Sequence, residues 1–95
     1  MIEYLYNAIR ATAGEDITIS AIVKDEAGND ITSGCHLNLY NDEERMSSFD
    51  GVYIAGCWEF TIPAAETANL SGRYWYCLCS QEHSKLNFKQ PIYLV

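Results

Sequence analysis

The sequence predicts an all-β domain, an antiparallel sandwich of about seven short strands with one helical turn. Three observations predict it. Hydrophobic residues alternate with a period of two along most of the chain. Turn-forming residues recur at the spacing of roughly 8–12 residues that separates strands in such folds. Only one stretch, PAAETANL at 63–70, carries the marks of a helix.

The elements follow in order. IEYLYNAI (2–9) alternates, with Ile2, Tyr4, Tyr6 and Ala8 on one face and Leu5 and Ile9 on the other. DITISAIV (16–23) sets Ile17, Ile19, Ala21 and Val23 opposite Thr18, Ser20 and Ile22. In HLNLY (36–40), Leu37 and Leu39 oppose His36, Asn38 and Tyr40. WEFTI (58–62) turns Trp58, Phe60 and Ile62 inward, and RYWYCLC (73–79) separates Tyr74, Tyr76 and Leu78 from Trp75, Cys77 and Cys79. KLNFKQPIYLV (85–95) closes the chain, its Pro91 marking an edge strand, a strand start or a bulge. Between strands lie Ala13–Asp16, Glu26–Asp30, Ser33-Gly34 and Asp50-Gly51, residues that accept positive φ or bond their own backbone. Pro63 suits a helix start, Ala64, Ala65 and Ala68 favour helix, and Gly72 ends it.

A chain of 95 residues makes a single domain, 1–95. At that size a fold buries only somewhat over about 60% of its unfolded surface, so the core must be dense; 48% apolar and 13% aromatic residues supply it. The formal net charge of −7 disfavours nucleic acid and anionic membrane as partners, because both require a basic surface. No apolar run approaches a membrane span of roughly 18 residues. The N-terminus MIEYLYNAIRAT lacks the pattern of a secretory signal. Synthesis in the cytoplasm is therefore expected, with free thiols.

The candidate sites are few. Cys77 and Cys79 share a strand face about 7 Å apart at the α-carbons, too constrained for an easy mutual disulfide. Cys35, Cys57, His36 and His83 could complete a zinc set, but the paired spacings of structural zinc are missing. Buried free thiols are the preferred reading, with a disulfide among the four cysteines left open. Trp58, Tyr74, Trp75 and Tyr76 could stack on sugars, yet alternation splits them between two faces, and core packing accounts for at least one. Asn41-Asp42-Glu43-Glu44 reads as a solvated turn, because it lacks the ligand spacing of a calcium loop. No catalytic motif occurs, so the chain reads as non-enzymatic, with no cofactor and no metal.

The order of signals is more specific than any one of them. AGEDITISAIVKDEAGNDIT (13–32) is followed by a strand, by DG at 50–51 and by WEFTIPAAETANLSGRYWYCL (58–78). This order resembles the Ig-like domains of phage virion proteins, including the N-terminal domain of siphophage baseplate upper proteins and other head or tail accessory proteins. The matching positions are Gly14 to Val23, Asp25 to Ile31, Trp58 to Ile62, Glu66 to Leu70 and Gly72 to Tyr76. The resemblance implies an Ig-like sandwich and a structural role in the virion, as a capsid decoration or a tail or baseplate component, with no catalytic residues to carry over. Its expected partners are capsid or tail proteins, or further copies of itself. The chain departs from that pattern in its cysteine content and in lacking a continuation into a fibre or receptor-binding region, which favours a small stand-alone component. A glycan-binding module using exposed aromatics is the alternative, and a small metal-binding regulator a third reading.

Sandwich edges expose unpaired N–H and C=O groups. IEYLYNAI and PIYLV are apolar and nearly uncharged, so both chain ends are expected to add to a neighbour. Tyr4, Tyr6, Tyr93, Leu94 and Val95 are the candidate interface residues, with Trp75 as the further candidate.

Overall fold

The computed structural model describes residues 2–5, 8–24, 27–32, 34–80 and 89–95. Nine strands and one short helix occur among them: β1 (Ile2–Leu5), β2 (Ala8–Ala11), β3 (Ile17–Ala21), β4 (His36–Asn41), β5 (Glu44–Asp50), β6 (Val52–Ile54), β7 (Cys57–Ile62), α1 (Ala64–Thr67), β8 (Gly72–Cys79) and β9 (Gln90–Leu94). They form a six-stranded sheet in the order β1-β2-β9-β8-β4-β5 and a three-stranded sheet in the order β3-β7-β6. The triplets β3-β7-β6 and β4-β8-β9, with β5 added beside β4, reproduce the connectivity of an immunoglobulin-like sandwich.

Local chemistry sets the reversals. The β4–β5 hairpin turns at Asp42, whose φ of 54° is tolerated because a short polar side chain fits the left-handed region. Ala55 and Gly56 both take positive φ, 51° and 86°, the pairing required by the tight turn that joins β6 to β7. Lys24 and Asp30 close the loop after β3 through an isolated bridge and a 2.9 Å ion pair. α1 is capped from afar: the Ala64 N–H donates to Asp16 Oδ1 at 2.8 Å, and the Gly14 N–H donates to Thr67 Oγ1 at 3.0 Å. The helical turn is thereby tied to the loop between β2 and β3.

Alternation delivers the core. Ile9, Ile17, Ile19, Leu37, Leu39, Trp58, Phe60, Ile62, Tyr76, Leu78, Ile92 and Leu94 are buried in one cluster between the sheets, with Tyr74 half-buried against it. Trp58 and Phe60 stack 6.2 Å apart at 19°, and Trp58 Nε1–H donates to the Ile31 carbonyl at 2.6 Å. The inward residues named from the sequence on β3, β4, β7 and β8 therefore face the core as expected.

Four expectations change. IEYLYNAI is not one strand: the chain reverses within it, so that β1 and β2 pair antiparallel from Ile2↔Ala11 to Leu5↔Ala8. The sandwich is not wholly antiparallel, because β2 runs parallel to β9 from Ile9↔Ile92 to Ala11↔Leu94. That ladder extends past the strands, with Val95 N–H donating to Ala11 O at 3.0 Å and Ala13 N–H to Val95 O at 2.9 Å. The last strand is consequently not an open edge, being flanked by β2 and β8. Pro91 is accommodated because it stands one residue before Ile92, where β2 begins to pair. Finally, two strands, β5 and β6, stand where the sequence showed no clear alternation.

Candidate interaction surface

The cysteines do not assemble a site. All four are free thiols; Cys35, Cys77 and Cys79 are buried and Cys57 is half-buried. Cys35 and His36 line one hollow of about 330 Å³ together with Gly34, Asp50, Gly51 and Trp58. Adjacent residues at the start of a strand point to opposite faces, so Cys35 enters the core while His36 stands opposite Asp50 on the outer side. Burial also pushes the Cys35 thiol above its ordinary value, away from the thiolate a nucleophile needs. Among the described residues no group of three His, Cys, Asp or Glu side chains is placed to hold a metal ion; His83 lies outside them.

On the outer face of the large sheet, Cys77 and Cys79 are fully buried beside Asn38. Asn38 Nδ2 donates to Cys79 Sγ at 3.4 Å and to Tyr40 Oη at 3.4 Å, while its Oδ1 has no partner among the described residues. These thiols pack; they are not displayed.

Further along the same face the character changes. The register aligns Arg10 on β2, Tyr93 on β9 and Arg73 on β8 in one row across the sheet. A second row runs through Pro91, Trp75, Tyr40 and Arg45, the last brought opposite Tyr40 by an irregularity that shifts the β4–β5 register between Leu39 and Tyr40 and so breaks the alternation from Ser47. The Arg73 guanidinium lies 5.1 Å from the Trp75 ring centroid, and Lys89 Nζ lies 4.5 Å from that of Tyr40. Lys89 also donates to the Asp42 carbonyl at 2.9 Å and approaches Glu43 at 3.6 Å. Asp42, Glu43, Trp75 and Lys89 surround a hollow of about 300 Å³.

The interface candidates fare unequally. Trp75 is half-buried, and Tyr93 is 39% exposed within this face. Val95 is exposed at the chain end. Leu94 is corrected: it alternates inward and retains only 2% exposure, so it belongs to the core and not to an outer interface. Tyr4 lies on β1, the outermost strand of the large sheet, and Tyr6 falls outside the described residues. Sequence reasoning passed over Arg10, Arg45, Arg73 and Tyr40. Their signal was the outward parity of Arg73 with Trp75 on β8, but the rows exist only through the strand order.

A second surface lies on the small sheet. Val52 and Ile54 of β6 are 57% and 51% exposed, and Ile22, one residue past β3, is 65% exposed. Cys57, half-buried, stands opposite Ile54. Among the described residues β6 pairs only with β7, which leaves its other edge without a strand partner there.

No family model and no curated protein matches this chain. No helix among the described residues is long and apolar enough to cross a membrane.

Proposed function

We propose that this domain is a non-enzymatic structural module that assembles through protein–protein contacts, and that it serves as a capsid decoration or a tail or baseplate component of a bacteriophage virion. The observation that carries the assembly reading is the exposed apolar pair Val52 and Ile54 on β6, whose outer edge is unpaired among the described residues. Contiguous exposed apolar surface is what a docking protein presents, and an open strand edge offers main-chain hydrogen bonds to a neighbour. The virion assignment rests on the resemblance of the 13–78 segment to phage Ig-like domains. The test is mass spectrometry of density-banded particles of the encoding phage. The chain should appear at a fixed ratio to the major capsid or tail protein, and its absence from clean particles overturns the virion assignment.

Glycan binding is favoured by one observation, the hollow walled by Trp75 with Asp42, Glu43 and Lys89 around it. An indole wall with acceptors and a donor is suited to a sugar ring, although Arg73 already lies over the Trp75 ring. Titration with soluble oligosaccharides, read by a change that Trp75→Ala removes, separates this reading from the first.

A further inference from the structure

We propose that the outer face of the large sheet, where Arg10, Arg73 and Arg45 surround Tyr93, Trp75 and Tyr40, docks a carboxylate-rich segment of a partner protein. The inference deepens the assembly reading by naming a surface and a partner chemistry, and it rests on that reading in taking the partner to be a protein.

Charge segregation carries it. The chain has 13 acidic and 6 basic residues, a formal charge of −7. Its described cations are Arg10, Lys24, Arg45, Arg73 and Lys89. All but Lys24 gather on this one face, and Lys24 is neutralised elsewhere by Asp30 at 2.9 Å. Random placement on an acidic domain would pair cations with the surplus carboxylates. Instead, Arg10, Arg45 and Arg73 are exposed, and among the described residues no ion pair engages any of them. Lys89 is the exception on the face, held by Glu43 and the Asp42 carbonyl at the β4–β5 turn. Among the described side chains, the carboxylates bordering the face are Asp42 and Glu43 at that turn and Asp50 opposite His36; in the backbone register, Glu3 of β1 pairs with Arg10.

The residue types fit a protein partner. Tyr, Trp and Arg are the side chains enriched at the energetic centres of protein interfaces. A guanidinium presents a planar fork that matches a carboxylate at two points, and Arg73 is already oriented by the Trp75 ring. Crossing from β2 to β5 spans four inter-strand spacings, roughly 19 Å. An extended segment of about six residues covers that distance. A nucleic-acid duplex fits worse. It carries a charge every ~1.7 Å and would run past the arginines over the acidic flanks of the domain. A short acidic segment meets only the basic face, and the negative field elsewhere steers it there.

The probe is poly-L-glutamate of about 20 residues, titrated calorimetrically at low salt into the folded domain, with duplex DNA and heparin in parallel. Arg73→Glu and Lys24→Glu make the same change of net charge on different faces. Arg73→Glu is expected to weaken binding roughly tenfold or more, and Lys24→Glu to leave it nearly unchanged. Arg10→Glu, in a different strand, should repeat the result should Arg73→Glu fail to fold. The proposal is overturned by the absence of polyglutamate binding, by equal weakening in the two variants, or by tighter binding of DNA or heparin at the same salt. A domain that binds polyglutamate through this face but is missing from particles sustains the face and removes the virion assignment.

Discussion

Replacing Gly51 by alanine tests the packing at the end of the sandwich most directly. Gly51 joins β5 to β6, and its N–H donates to the Cys35 carbonyl at 3.0 Å. A Cβ added there would lie 2.6 Å from Phe60 Cε1, 2.8 Å from Trp58 Cε3 and 2.9 Å from Phe60 Cδ1. Carbon atoms at rest sit about 3.5–4.0 Å apart, so each contact must open by roughly 1 Å. The rings have little room to give. Phe60 is fully buried, Trp58 is 4% exposed and anchored through its Nε1–H to Ile31, and the two are stacked on each other. Overpacking of this kind costs about 1–3 kcal/mol, and three simultaneous contacts place Gly51→Ala in the upper part of that range. The loss of backbone freedom in the unfolded chain offsets about 0.4–1 kcal/mol. A net loss of about 1–2 kcal/mol should lower the melting temperature by roughly 4–16 °C for a domain of this size. Thermal unfolding followed by circular dichroism measures it. Phe60→Leu removes the Cε1 contact, so its cost should be smaller in the Gly51→Ala background than in the parent, a coupling that a double-mutant cycle resolves. A Gly51→Ala variant that melts with the parent, and adds independently to Phe60→Leu, would refute the close approach.

Three further outcomes are expected. Phe60→Ala should cost about 3–5 kcal/mol, a large share of the roughly 5–14 kcal/mol available to a chain of this length, as measured by urea unfolding; a melting point within a degree or two of the parent would show that Phe60 is not core. Asp16→Ala removes the acceptor of the Ala64 N–H and should cost about 0.5–2 kcal/mol, while Thr67→Val, which orphans the Gly14 N–H, should cost about 1 kcal/mol, both by the same measurement. Cys35, its thiol pushed up by burial, stays protonated in the fold at pH values where the unfolded chain ionises; its contribution is full below the ordinary thiol range and is lost as pH rises through and beyond it. Stability of the parent should therefore fall more steeply in alkali than that of Cys35→Ala, and a native-state alkylating reagent should label Cys57 before the three buried thiols.

Much of the fold was legible because the facing of a strand residue is a local property. Successive Cβ atoms alternate sides whatever the partner strand is, so Ile17 and Ile19, Leu37 and Leu39, Trp58, Phe60 and Ile62 could be turned inward from the sequence alone. Pro63 and the alanines after it likewise marked the helical turn without any tertiary information, but the turn ends at Thr67 and Gly72 opens β8 instead of ending the helix. β5 was not legible. ERMSSFD lies at the rim of the large sheet, where its inward Ser47 and Phe49 are only half-buried, so burial imposed no hydrophobic contrast on it.

What remained for the tertiary structure were the properties that depend on which strands meet. Alternation runs on through IEYLYNAI although the chain reverses there, because a period of two does not record direction. PIYLV looks like an uncovered end, but β2 returns in parallel beside it and turns Leu94 into core. The row Arg10–Tyr93–Arg73 joins residues from three strands far apart in sequence. Each arginine alone reads as an ordinary exposed charge. Only the hydrogen-bonded register of β2, β9, β8, β4 and β5, a non-local interaction, sets these cations side by side on one face of an acidic domain.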